Sequence, residues 1–320
     1  MASYAFASGQ IRCLETRLLT KTDIERMVDA PDLESAFKVF NDTDYADNLL
    51  DVKPHEFKKA LDDDFSQARN TLLSLIDNQY LVSLIFLKND IRNIKLLFKS
   101  KLSKQEVLEN LKEFGTATSE NLKKYIIDED SSVTIPDNVK KLIDEAKEKL
   151  ASNTEPLIID AYFDEIYFQE TKEASARLKN KFISDFFSLQ HKTNTLKFFI
   201  RAKLMDKKTN FVKDYLPSKY LNIYDRDLDE ALRAVNWHVL LDGAIAEFIN
   251  DKNLWKLEKS LEEAEIEYLR SAKRISYGPE VVIAYYYAKR NAIRNVRLIM
   301  TGKLNKVEPK KIKERIREIY

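Results

Sequence analysis

Three segments of this sequence share one pattern of apolar residues with helical periodicity. They close at Leu102, Leu204 and Leu304, so the copies are offset by 102 and then 100 residues. Steps of three or four residues keep such positions on one face of a helix. The apolar column reads Leu84, Leu87, Ile91, Ile94, Phe98 and Leu102 in the first copy; Phe186, Leu189, Thr193, Leu196, Ile200 and Leu204 in the second; and Tyr286, Lys289, Ile293, Val296, Met300 and Leu304 in the third. We therefore expect one long helix, repeated three times.

A second column of basic or polar residues runs beside the apolar one, at positions i, i+3 and i+7. A solvated helix face is the ordinary interpretation of such a stripe, and the alternative is that three like stripes meet around a shared axis. The column reads Arg92, Lys95 and Lys99; Asn194, Lys197 and Arg201; and Arg294, Arg297 and Thr301.

Each copy also has a preceding helix, which we call its lead-in. Leu61, Phe163 and Leu261 lie 41, 41 and 43 residues before the closing leucines. The repeat is thus a unit of about a hundred residues, longer than the short helical solenoid repeats. It predicts three domains at residues 1–110, 111–212 and 213–320. Further helices are expected at Val107 to Phe114 and Pro309 to Ile319, and a polar linker at Asp128 to Pro136.

Glycine and proline are scarce, with 5 and 7 residues in a chain of 320. A β-rich fold needs a turn every few residues and could not be built with so few. The composition therefore predicts an all-α fold, and the length suits two or three domains.

The charge balance argues against a general binder of nucleic acid or anionic membranes, because 53 Lys and Arg face 52 Asp and Glu. Cys13 is the only cysteine, which excludes an internal disulfide and fits a reducing compartment. The N-terminus lacks the pattern of a signal peptide, and no apolar run reaches the roughly 18 residues of a membrane span. We expect a soluble protein, or one attached to a membrane only through a partner.

No catalytic or metal site is predicted. His55, His191 and His238 lack metal-ligand spacing, and His191 is expected on a polar face. The acidic run Leu61 to Phe65 is similar to metal motifs of helical synthases, but it is better interpreted as a charged helix face. Tyr285 to Tyr287 could stack on bases, although core packing is favoured because the three point in different directions. No cofactor is expected.

The two ends of the chain carry a resemblance to a known family. The C-terminal residues are Tyr277 to Glu280, Ala288-Lys289, Ile293 to Ile299 and Thr301 to Leu304; the N-terminal ones are Tyr4, Ile11-Arg12, Leu14-Glu15 and Leu18-Leu19. They resemble the C subunit of bacterial and archaeal V/A-type ATPases, which is similar to the d subunit of the vacuolar proton pump. The match covers the whole chain in length and order.

This resemblance implies three similar helical domains around a pseudo-threefold axis, shaped like a funnel. It implies a non-catalytic central-stalk protein at the cytoplasmic face of the membrane. Such a protein links the shaft, made of the D and F subunits, to the membrane proteolipid rotor ring for ATP-linked proton or sodium transport. Within it, we hypothesise that five basic side chains face the central cavity, and we call them the basic stripe: Arg92, Lys95, Lys197, Arg294 and Arg297. The N-terminal helix is predicted to pack near the C-terminal domain.

Two other interpretations stay open at this point. The chain could be a generic α-helical adaptor or scaffold that merely shares the repeat, or a helical enzyme of the isoprenoid type. Co-purification with a proteolipid ring and the shaft proteins separates the first of these from the coupling role.

Overall fold

A computed structural model describes residues 4–43, 52–103, 110–150, 155–216 and 222–320. These residues form α-helices and short 3-10 turns, without any strand, which confirms the predicted all-α class for them. The helices are α1 (Tyr4–Glu15), α2 (Lys21–Asp29), α3 (Leu33–Asn41), α4 (Phe57–Leu75), α5 (Gln79–Ser103), α6 (Ser119–Ile126), α7 (Asp137–Lys149), α8 (Pro156–Leu178), α9 (Lys181–Leu204), α10 (Thr209–Tyr215), α11 (Leu228–Ala234), α12 (Val239–Asp251), α13 (Leu254–Arg270), α14 (Pro279–Leu304) and α15 (Pro309–Arg315).

The three predicted copies are the long helices α5, α9 and α14, and their lead-ins are α4, α8 and α13. The lead-in residues Leu61, Phe163 and Leu261 are fully buried. The chain divides into two compact units: unit 1 is Met1–Asn78 with Asn253–Tyr320, and unit 2 is Gln79–Lys252. The division into three domains around a pseudo-threefold axis stays a prediction.

Unit 1 is built around α14. This helix packs against α1, α2, α3, α4 and α13, and it buries Tyr285, Tyr286 and Tyr287, as expected for core tyrosines. The Tyr286 ring lies 5.6 Å from that of Phe65 on α4. The first lead-in therefore packs on the third copy, although about two hundred residues separate them in the chain.

The N-terminal helix lies in the same unit, which confirms that it packs near the C-terminal part of the chain. On α1, the Arg12 guanidinium donates to the Ala272 carbonyl at 2.8 Å. Ser8 Oγ accepts from the Gly278 N–H at 3.1 Å. Gly278 has φ +145°, a backbone conformation that side chains rarely adopt, and Pro279 follows at the first turn of α14. This pair fixes how the chain enters α14.

Unit 2 is built around α5, α8 and α9, with α8 packed against both of the others. The Phe98 ring of α5 lies 5.4 Å from the Phe163 ring of α8 in an edge-to-face arrangement. The predicted polar linker is non-helical, as expected, yet Ile135 is buried in this core. Asn121 on α6 donates to the Thr134 carbonyl at 2.9 Å and ties the linker down.

The apolar column is buried along most of each copy, and its closing leucine is half-buried in the first copy but exposed in the other two. Leu204 and Leu304 are 53% and 47% exposed, so the prediction that they lie in the buried column is wrong. The reason is visible at the third copy, where Ile312 of α15 packs against Gly302. Residues two apart on a helix point about 200° from each other. The following helix therefore covers the face opposite Leu304.

The helices predicted after the first and third copies do not reach their expected ends. Helix α15 ends at Arg315, and residues 111–114 lie outside any helix, while 107–109 fall outside the described residues. Asparagine side chains fix the non-helical backbone of these segments. Asn93 exchanges two hydrogen bonds with the Lys112 backbone, at 2.7 and 3.1 Å. Asn295 makes the same two bonds with Arg317, at 2.8 and 3.1 Å.

A second asparagine, one turn earlier, repeats this arrangement. Asn89 donates to the Phe114 carbonyl at 3.0 Å, and Asn291 donates to the Glu318 carbonyl at 2.7 Å. Each pair gives the non-helical backbone hydrogen-bond partners that a longer helix would otherwise supply. We call these two pairs the asparagine clamps.

Candidate functional site

In unit 2 the basic stripe meets acidic residues of a lead-in helix. Lys95 Nζ on α5 lies 2.5 Å from Asp164 and 4.0 Å from Asp160, both on α8. One turn further along α5, Lys99 Nζ lies 2.6 Å from Asp160. Because α5 and α8 are packed together, these pairs form a line of charge along the edge of their interface.

In unit 1 the stripe is paired in the same manner. Arg297 Nη2 on α14 lies 2.5 Å from Asp62 on α4, and both side chains are half-buried. Arg294 lies 2.5 Å from Glu262 on α13, and Arg317 also reaches Glu262, at 2.9 Å. Both units therefore hold part of the stripe against carboxylates of the protein itself.

The acidic partners themselves form a repeated column that the apolar periodicity did not predict. Asp62, Asp164 and Glu262 each follow a lead-in residue directly, at Leu61, Phe163 and Leu261. Lys95 and Arg297 also occupy one column, and each pairs with the lead-in that does not belong to its own copy. The sequence does carry a signal for these partners, since every lead-in has an acidic residue directly after its aligned apolar residue.

The remaining two stripe residues are Arg92, which is exposed, and Lys197, which is half-buried. Arg92, Lys95 and Lys197 belong to unit 2, whereas Arg294 and Arg297 belong to unit 1. That the five face one central cavity stays a prediction.

A buried ion pair links α14 to α4 beside the stripe. Lys289 Nζ lies 2.8 Å from Asp64 Oδ2 and 3.0 Å from Oδ1, and the two side chains are 10% and 9% exposed. Burial lowers the pKa of Lys289, while the Asp64 charge and hydrogen bond oppose that shift. The expected charged face at Leu61 to Phe65 is therefore wrong for Asp64, because this carboxylate points into the core toward a lysine of the apolar column.

His191 is buried rather than on a polar face, so that prediction is wrong. Its Nε2 lies 2.7 Å from Thr171 Oγ1, and the Phe168 ring packs 4.4 Å away. Desolvation, with Lys172 and Lys88 nearby, lowers the pKa of His191 to about 4. His191 and Thr195 occupy the positions at which the other two copies carry the clamp asparagines. In the second copy His191 contacts Thr171 of α8 instead, and the Thr195 hydroxyl donates to the His191 carbonyl within α9.

The lysine of each closing Lys-Leu reaches a backbone carbonyl. Lys303 is buried and donates to the Val28 carbonyl at 2.6 Å and to that of Ala30, at the end of α2. Lys203 approaches the Tyr224 carbonyl at 3.4 Å, and Lys101 the Ile126 carbonyl at 3.5 Å. A cation is favoured at a helix C-terminus by the helix dipole. The repeat thus uses its closing lysines to fix neighbouring segments.

These arrangements hold helices together and position charge. Across the described residues, no group of three or more His, Cys, Asp or Glu side chains is placed to hold a metal ion. The same part of the chain contains no helix with the length and apolar character needed to cross a bilayer.

Comparison with known proteins gives a match over almost the whole chain. The model of the ATP synthase (C/AC39) subunit family matches residues 7–315. The C subunit of the V-type sodium ATPase of Enterococcus hirae is 22% identical, and the alignment covers 97% of each chain. The C subunit of the A-type ATP synthase of Methanocaldococcus jannaschii is 21% identical over 98% of this chain and 86% of its own. Its counterpart in the A-type ATP synthase of Desulfurococcus sp. (strain SY) is 23% identical over 99% and 91%.

Proposed function

The chain belongs to the ATP synthase (C/AC39) subunit family, and from this membership we propose that it is the central-stalk coupling protein of a rotary V/A-type ATPase. In this role it receives the shaft, made of the D and F subunits, and sits on the membrane proteolipid rotor ring. It passes torque between ATP turnover and proton or sodium transport. It is a structural component rather than an enzyme.

The observation that carries the proposal is the extent of the family match. Residues 7–315 align with one family model, and relatives named as the C subunit align over nearly their full lengths. A generic adaptor that shared only the repeat would not be expected to match this family from end to end.

The packing supports a coupling role because a torque-bearing part has to resist twisting. In each unit a long copy is joined to a lead-in by ion pairs: Lys95 to Asp164 in one, and Arg297 to Asp62 in the other. The asparagine clamps fix the segments that follow the first and third copies. These cross-links tie together elements far apart in the chain, which favours stiffness over flexible linkage.

The basic stripe is our proposed contact with the shaft. Lys95 and Arg297 are half-buried and hold helices together, whereas Arg92 and Arg294 are exposed and present charge to a partner, Arg294 while it contacts Glu262. Association through exposed charges is screened by salt, with a Debye length of about 8 Å at physiological ionic strength. Binding of the shaft should therefore weaken with added salt, mainly through slower association.

Reconstitution tests the proposal. An ATPase assembled from its ring, shaft and catalytic head without this chain should hydrolyse ATP without driving ion transport, and adding the chain should restore transport. The double variant R92Q/R294Q should restore less transport and bind the purified shaft more weakly than the unmodified chain. A complex that pumps ions equally well with and without the chain would sink the proposal.

A further inference from the structure

The backbone turns in the same way at the ends of the second and third copies. Asp206 and Lys306 follow the closing leucines by two residues, and both adopt left-handed backbone, at φ 51° and 53°. The Lys207 N–H then donates back to Ala202, and the Val307 N–H to Gly302, at 3.0 and 2.8 Å. This six-to-one bond is the Schellman helix ending.

The helices after these endings are equivalent too. Helices α10 and α15 each have seven residues and each bury one side chain, at Val212 and Ile312, which are a hundred residues apart. We name the two structures the α9–α10 corner (residues 203–213, in unit 2) and the α14–α15 corner (residues 303–313, in unit 1). Each is described from its own unit alone.

Both corners expose large apolar side chains. Leu204 and Met205 are exposed on the first, and Leu304 and Val307 on the second. A leucine left in water forgoes the free energy that burial of its side chain would contribute. That the same position is left uncovered twice, on equivalent geometry, points to a surface that is covered in an assembly.

Both corners are strongly basic, in a chain whose formal net charge is only +1. Residues 203–213 contain four lysines and one aspartate, and residues 303–313 contain five lysines and one glutamate. Lys208, Lys306 and Lys310 are exposed and have no ion-pair partner among the described residues. The closing lysines, by contrast, are taken up by backbone carbonyls. Each corner thus combines an exposed leucine with exposed lysines that carry positive charge.

We infer that each of these two corners, taken by itself, is a docking site for the membrane rotor ring, an inference that rests on the proposed function. Each corner takes a partner element that is acidic at its edge and apolar at its tip. A surface built twice with the same geometry fits a partner that offers the same element repeatedly. A ring of identical protomers does so, because closed symmetry repeats every loop around it. A single shaft presents each of its surfaces only once.

The proposed contacts with the ring and with the shaft differ in chemistry and therefore in their dependence on salt. The ring contact combines an apolar anchor with lysines, so it retains part of its strength at high salt. The shaft contact proposed above uses the basic stripe and depends more strongly on ionic strength.

The test compares two variants of the full chain for binding to purified ring, purified shaft and empty lipid nanodiscs of the same lipid composition. The corner variant carries L204S, L304S, K208Q, K306Q and K310Q. The matched control carries V239S, K38Q, K58Q and K59Q, which alter an exposed valine and exposed lysines elsewhere. Circular dichroism checks that both variants keep the helical content of the unmodified chain.

We expect the corner variant to bind the ring about tenfold more weakly or worse and the shaft normally, because it removes both apolar anchors and three of the lysines around the two corners at once. The control variant should bind both partners normally. The inference would be overturned if the corner variant lost shaft binding and kept ring binding, or if it kept both. It would also be overturned if the unmodified chain bound empty nanodiscs as tightly as the ring. If the unmodified chain bound neither partner, the proposed function itself would fail.

Discussion

Neutralising Asp64 should expose the energetic importance of the buried link between α4 and α14. In the variant Asp64→Asn, the Lys289 ammonium stays in a site where its side chain is only 10% exposed, without the carboxylate that lies 2.8 Å away. Removing one partner of a buried ion pair typically costs about 3–5 kcal/mol, because the other charge is left uncompensated. We expect a loss of that order in the free energy of unfolding at pH 7.

The pH dependence gives the prediction a second, independent signature. Burial already lowers the pKa of Lys289 in the folded protein, and removing Asp64 takes away the two contributions that oppose the shift. Below its ordinary pKa the lysine is then protonated more in the unfolded state than in the folded one. Stability of the variant should therefore rise with pH, recovering part of the loss between pH 7 and pH 9.

Urea denaturation followed by far-UV circular dichroism measures both effects, and hydrogen exchange in α4 and α14 locates them. Asp63→Asn is the matched control, because Asp63 is exposed on the same helix; it should change stability by about 0.5 kcal/mol or less. The double variant D64A/K289M removes both charges and should be more stable than Asp64→Asn alone. If Asp64→Asn cost no more than its control and showed the same pH profile, the buried pair would not act as described.

Two further perturbations test the repeat. Asn295→Ala removes both bonds to the Arg317 backbone and should lower the free energy of unfolding by about 1–3 kcal/mol, with faster hydrogen exchange and proteolysis at residues 316–320. The control is Thr195→Ala, at the same position of the second copy, which should leave residues 316–320 protected. Equal protection of that segment in both variants would contradict the clamp. His191→Gln removes a group whose pKa is lowered to about 4. The unfolded state takes up a proton near pH 6.5 and the folded state does not. The unmodified protein should therefore lose about 3 kcal/mol of stability as pH falls from 6.5 to 4, and the variant should lose less. Parallel curves of stability against pH for the two proteins would contradict this role of His191.

The long helices could be predicted from sequence because their signal is local. Spacings of three and four residues give α5, α9 and α14, and the scarcity of glycine and proline excludes a β fold. A helical period states which residues share a face, but it does not state what covers that face. Leu304 follows the same period as Met300, yet it is exposed because α15 packs elsewhere.

The candidate site was less predictable because it depends on partners distant in sequence. Lys289 fits an apolar column only because Asp64 arrives from a helix 225 residues away. The pairing of Lys95 with Asp164 likewise joins one copy to the next lead-in, which a comparison of copies in isolation does not reveal. The asparagine clamps were visible as equivalent residues, but their backbone acceptors lie in segments whose own periodicity suggested helix.

Unit 1 is built from two segments that lie far apart in the sequence, and this sets the order in which parts of the chain can fold during synthesis. Its first part ends at Asn78 and its second part begins at Asn253, so unit 2 is translated entirely in between. At about 5–20 residues per second, the nascent N-terminal part waits roughly 10–45 s for α14, the helix on which Phe65 packs. Unit 2 can fold first on the ribosome, while the apolar side of α4 remains a target for chaperones until the last seventy or so residues emerge.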